Sequence, residues 1–144
     1  MGLLSLLFGR RRNSNKGSLL IRGEGDFLFE IVGERNYQEI LDAVCGGKCT
    51  DGHEKLIAVT LIPEPTNPHD RNAVKVDMAG HTVGYLSRAD ARDYLAELTA
   101  AGYAGFEAQC RAHIVGGWKD ARSEGHYGVK LDIEMPPDFV FAPD

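Results

Sequence analysis

Residues 56–86 read LIAVTLIPEPTNPHDRNAVKVDMAGHTVGYL, and the architecture follows from this stretch. Leu56–Ile62 is a β-rich run. Ala73–Asp77 and His81–Leu86 flank the tight turn Met78-Ala79-Gly80, a hairpin signal. Pro63, Pro65 and Pro68 punctuate the loop between the first two strands. Each holds φ at about −65° and none can donate to a ladder, so the loop is stiff. A stiff polar loop carrying Asn67, His69, Asp70 and Arg71 either positions side chains for recognition or serves as a rigid turn.

Upstream, Asp26–Gly33 alternates with two largely apolar faces, as a mostly buried strand does. Asn36, with Glu39 three residues on, predicts a capped helix over Tyr37–Val44 that stops at Gly46-Gly47. Downstream, Ser87 with Asp90 caps a second helix. Its Ala91, Tyr94, Leu95 and Leu98 share one face, and it ends at Gly102. Phe106–Val115 and His126–Glu134 read as two more strands around a glycine-rich loop over 116–125. The order is β-α-β-β-β-α-β-β. Short connections favour an antiparallel or mixed sheet, and a small sheet closes to remove its edges. The expected fold class is mainly β (α+β): a small OB-like six-stranded β-barrel with two helices. Residues 1–20 read as a flexible apolar and basic tail, 21–136 as the folded domain, and 137–144 as an acidic tail beyond Pro136-Pro137.

A chain of 144 residues, 43% hydrophobic and 26% charged, is most simply one domain. Its net charge of −5 is unevenly spread. Residues 1–22 carry five basic residues and no acid, and the remainder carries eleven basic against twenty-one acidic. So acidic a body argues against coating nucleic acid through bulk charge, but leaves room for a small site that reads an end or a few nucleotides. Cys45, Cys49 and Cys110 are odd in number and no cleavable signal sequence is read, which fits a reducing, cytoplasmic setting. The run Leu3–Phe8 is too short to span a bilayer. With Arg10–Arg12 it reads as a surface anchor, placing residues 3–12 at a membrane, or as a frayed tail or a plug on its own domain.

Cys45, Cys49 and His53, with His113 or Cys110, suggest zinc, but the second matching pair of a structural site is missing. His69-Asp70 suggests an acid–base pair, yet no third group or nucleophile motif accompanies it, and Asp70 can equally hold the turn by accepting backbone amides. No phosphate-binding or dinucleotide-binding glycine loop and no nucleophile elbow is present. The expectation is a non-enzymatic protein with no cofactor and no metal. Trp118 and Tyr127, with Arg111, Lys119, Arg122 and Lys130 near by, either clamp a single strand or cover the core.

The run Pro63-x-Pro65-x-Asn67-Pro68-His69-Asp70-x-Asn72-Ala73-Val74-x-Val76, continued by Val83-Gly84-Tyr85-Leu86, resembles the HIRAN domain. That module occurs at the N-terminus of certain Swi/Snf-type DNA translocases and as small stand-alone bacterial proteins. Glu30–Tyr37 looks like the family's first strand and turn, and Ile114–Trp118 like its bacterial branch. The resemblance spans roughly residues 27–134. It implies an OB-like barrel that captures the 3′ end of single-stranded DNA, stacking terminal bases and bonding the 3′-hydroxyl.

Carried over by motif, Arg35, Asn36 and Tyr37 flank the pocket, and Asn67, His69 and Asp70 lie in the stiff loop, with Asp70 and Asn67 on the terminal sugar. Arg35 and Arg88 meet phosphates, and His69, Tyr85 and Tyr127 meet bases. DNA-capturing members have aromatics where Asn36 and His69 stand here; base stacking contributes about 1–3 kcal/mol per base, so affinity falls if neither Tyr37 nor His69 substitutes. The expected role is 3′-end recognition in DNA repair or processing, beside a helicase or nuclease partner. The alternative is a protein-interaction or membrane-tethered adaptor.

Overall fold

The computed structural model describes residues 17–143. The apolar run, the arginine cluster and the membrane-contact reading of residues 3–12 lie outside the described residues. The strands are β1 (Gly17–Arg22), β2 (Phe29–Glu30), β3 (His53–Pro63), β4 (Val74–Met78), β5 (His81–Tyr85), β6 (Ala108–Gly116), β7 (Tyr127–Leu131) and β8 (Asp138–Pro143). The helices are α1 (Gln38–Cys45) and α2 (Arg88–Ala100), with a 3-10 turn at Glu34–Asn36. Among the described residues no helix is long and apolar enough to cross a membrane.

The central stretch folds as its sequence demands. β3 runs antiparallel to β4, and β4 to β5, across a two-residue turn with φ of 51° at Ala79 and 82° at Gly80. That double left-handed conformation matches the twist of a hairpin. β3 also forms a long antiparallel ladder with β6, from His53 opposite Gly116 to Leu61 opposite Ala108. The full path is β2-β7-β6-β3-β4-β5. The sheet curls until Val32, just after β2, meets Tyr85 at the end of β5. The architecture is an OB-like, mostly β fold with two helices, as expected.

Three features depart from expectation. Eight strands form among the described residues, not six. β1 and β8 pair antiparallel from Gly17 opposite Pro143 to Arg22 opposite Asp138, and β1 joins β6 in parallel at Leu19 and Leu20. The folded body thus begins inside the segment read as a flexible tail, and Pro136-Pro137 does not end it. The segment read as an acidic tail, 137–144, contributes β8, whose Phe139 and Phe141 pack on the Tyr103 ring at the edge of the core, with centroids 6.2 and 6.4 Å away. The first predicted strand also shrinks to Phe29–Glu30. Phe27 sits at φ 52°, which breaks the extended run, with its ring stacked 3.7 Å from His113 and 5.5 Å from the Arg111 guanidinium.

Third, Asn36 is not the cap of α1. It closes the 3-10 turn by donating its N–H to the Gly33 carbonyl at 3.0 Å, and Tyr37 precedes the helix without a side-chain cap. The Ser87 cap does form, its Oγ accepting the Asp90 N–H at 3.1 Å. The core lies between the curled sheet and the helices: Leu41 from α1, Leu98 from α2, and Leu61, Val76, Ile114 and Leu131 from the strands are sealed from solvent.

Candidate functional site

The loop from Pro65 to Arg71 lines a concavity of about 550 Å³. Its rigidity comes from side chains as well as prolines. Asn67 accepts the backbone N–H of His69 (2.8 Å) and of Asp70 (3.2 Å) on Oδ1, and donates Nδ2 to Glu64 Oε1 (3.0 Å). The Asn67 amide is therefore largely spent on holding the loop. Asp70 accepts the Asn72 N–H on Oδ1 at 2.9 Å, an Asx turn. No partner for its second oxygen is found among the described residues. His69 is exposed at the tip.

Glu64 ties this loop to the barrel. Besides Asn67, its carboxylate lies 3.9 Å from Lys75 Nζ and engages the Tyr85 hydroxyl. Partial burial and then Glu64 push the Tyr85 phenol up to about 12, with Tyr37 a lesser neighbour. Tyr85 in turn exchanges backbone hydrogen bonds with Val32, at 2.8 and 2.9 Å, which brings the 3-10 turn alongside. Tyr85 is thereby tied on one side to the Glu64-anchored loop and on the other to the segment that leads into the 3-10 turn, with Tyr37 near by. Arg88 is exposed in the first turn of α2 and makes no ion pair among the described residues.

The 3-10 turn packs against both β5 and β7, and Arg35 faces a second concavity of about 750 Å³. Tyr127 contributes to its lining but is only 3% exposed. Its hydroxyl donates to Asp42 Oδ1 at 2.6 Å, and burial followed by that bond raises its pKa. Its N–H donates to Gln38 Oε1 (2.8 Å) while Gln38 Nε2 donates back to the Tyr127 carbonyl (3.0 Å). Gln38 thus extends the β7 edge as a strand would. The expected base-facing role leaves Tyr127 as floor, not as a projecting platform. Lys48, Lys119, Glu124 and His126 complete the rim.

The glycine-rich loop is tied down. Cys49 donates its N–H to the Gly117 carbonyl (3.1 Å) and accepts that of Lys119 (2.9 Å), and Asp120 accepts the N–H groups of Arg122 and Ser123. The zinc candidates separate: Cys49 Sγ is 3.7 Å from His53 Nε2, whereas Cys110 is buried in β6 and His113 stacks on Phe27. Among the described residues no three His, Cys, Asp or Glu side chains cluster as metal ligands.

Sequence reasoning missed Glu64, Gln38 and Asp42, which bridge distant segments. Glu64 stood between two motif prolines, a weak signal; nothing local marked Gln38 or Asp42. A family model, that of the HIRAN domain, matches residues 25–120, which include the 3-10 turn, the stiff loop and both helices. No curated protein and no solved structure matches the chain.

Proposed function

The chain belongs to the HIRAN domain family, a family of nucleic-acid-binding modules, and from that premise we propose that it captures the 3′ end of single-stranded DNA without catalysing a reaction on it. The observation that carries this reading is Asp70. One of its oxygens holds a rigid turn by accepting the Asn72 N–H, and the other, at the edge of an open concavity, has no partner among the described residues. A carboxylate so held is a ready acceptor for a sugar hydroxyl. Asn67 keeps the loop in shape, His69 and Tyr85 offer rings beside it, and Arg88 and Arg35 offer charge for phosphates. Work on DNA ends in the cytoplasm, in repair or processing and beside a helicase or nuclease, suits a module that binds and does not cut.

The test is a titration of a labelled short oligonucleotide ending in a 3′-hydroxyl, beside the same strand ending in a 3′-phosphate. The free hydroxyl should bind about tenfold tighter, a difference of about 1.4 kcal/mol, and Asp70→Ala should erase the preference. Binding should fall steeply with salt, and Arg88→Ala should weaken it. Equal or absent binding of both strands at low salt sinks the reading and leaves an adaptor that acts through residues 3–12.

A further inference from the structure

We infer that the second concavity, on the far side of the 3-10 turn, is a subsite for the phosphates of nucleotides upstream of the captured terminus. The inference rests on the end-capture reading above. The turn Glu34–Asn36, three residues and about 6 Å long at the 3-10 rise, packs on β5, whose Tyr85 engages Glu64 of the stiff loop, and on β7, whose Tyr127 lines the second concavity. On this inference a strand whose last nucleotide lies in the Pro65–Arg71 concavity runs along the turn toward Arg35, which lines the second concavity.

Cations from three separate segments converge there: Arg35 from the turn, Lys48 from the loop after α1, and Lys119 from the loop between β6 and β7, with the His126 ring on the same rim. The acids beside them are partly engaged. Asp42 accepts the Tyr127 hydroxyl, and Glu124 pairs with Lys48. Lys48 and Lys119 hold the Glu124 carboxyl below its usual range, the Lys48 hydrogen bond first. Arg35 and Lys119 make no salt bridge among the described residues, while Glu39 is the remaining carboxylate on the rim. Arg35, with no salt bridge among the described residues, and Lys119, which shares Glu124 with Lys48 only at longer range, fit phosphodiesters at the end of a single-strand path. Lys119 is held in place from behind, since its backbone N–H bonds Cys49. Glu124 acts as an internal competitor, occupying Lys48 in the manner of a phosphate oxygen.

The measurement is affinity against length for di-, tetra- and hexanucleotides ending in a 3′-hydroxyl, each beside its 3′-phosphate twin. The tetranucleotide should bind about tenfold tighter than the dinucleotide at low salt. Lys119→Gln should bring that ratio close to one and lower the salt slope by about one unit. Glu124→Gln, which frees Lys48, should raise the ratio instead. That opposite sign is one that simple misfolding does not produce. A hydroxyl preference with no gain in length, or a ratio unmoved by both variants, overturns the upstream subsite alone. Absence of any hydroxyl preference at every length overturns the end-capture reading, and this inference with it.

Discussion

Val32 and Tyr85 exchange a pair of backbone hydrogen bonds, 2.8 Å from the Val32 N–H to the Tyr85 carbonyl and 2.9 Å in return. Those two bonds join the ends of the curled sheet. They also set the 3-10 turn beside Tyr85, whose hydroxyl engages Glu64 at the base of the stiff loop, so closure of the sheet and the placement of these two segments go together.

Val32→Pro removes the first of these donors and should destabilise the protein by about 2 kcal/mol, the cost of a lost bond plus a stranded carbonyl. Val32 is itself 47% exposed, so Val32→Thr should stay within about 0.5 kcal/mol of the native protein. Urea midpoints of the two variants check this. If Val32→Pro unfolds at the native midpoint, the bridge is dispensable and closure does not depend on it.

Asn67 and Asp70 should separate in their effects. Asn67→Ala deletes three hydrogen bonds that shape the loop and should cost about 2 kcal/mol of stability, with binding lost secondarily. Asp70→Ala deletes one turn bond, should cost about 1 kcal/mol, and should remove hydroxyl discrimination outright. Thermal melts read beside oligonucleotide titrations give the comparison. A larger stability loss for Asp70→Ala than for Asn67→Ala would reverse the roles given to the two side chains.

Gly117 lies at φ 67° under the Tyr127 ring, where an added Cβ would stand 2.0 Å from Cε1. Gly117→Ala should therefore displace Tyr127, break its bond to Asp42 and destabilise by about 3 kcal/mol. Restoration of native stability by the double variant Gly117→Ala with Tyr127→Ala is not expected, since Tyr127 is itself core; partial relief is. Denaturation midpoints of the two single variants and the double measure the coupling.

Alkaline pH should weaken the fold in a defined window. Burial first, and then Asp132, pushes the Cys110 thiol from 9.0 up to about 12; burial and Glu64 push Tyr85 from 10.0 up to about 12. Burial also raises Tyr94 and Tyr127. All four hold their protons more tightly folded than unfolded, so their contribution is complete below pH 9.0 and is lost as pH climbs toward about 12. Urea midpoints across that range should fall continuously, and Cys110→Ala should shrink the part of the loss that begins near pH 9.0, leaving Cys45, which burial also raises, and the phenols. A flat profile would contradict the burial of these groups.

Most of the central stretch was legible because its signals are local. The prolines set the loop, Ala79-Gly80 set the turn, and the Ser87–Asp90 pair set the start of α2, each within a few residues. The motif that carries the family resemblance sits in the same segment, so Asn67, His69 and Asp70 were found together. Asn36 misled because a helix cap and the end of a 3-10 turn use the same residue type, and the neighbouring Gly33 decided between them.

The sequence by itself determined the strands of residues 56–86, both helices, the stiff loop and the family. Only the tertiary structure decided that Gly17 would pair with Pro143, that Val32 would meet Tyr85, and that Gln38 would bond Tyr127 across the site. Such pairings join residues far apart in the chain. Their free energy comes from apolar faces and backbone groups left uncovered once the barrel has curled, so no local window of sequence contains it.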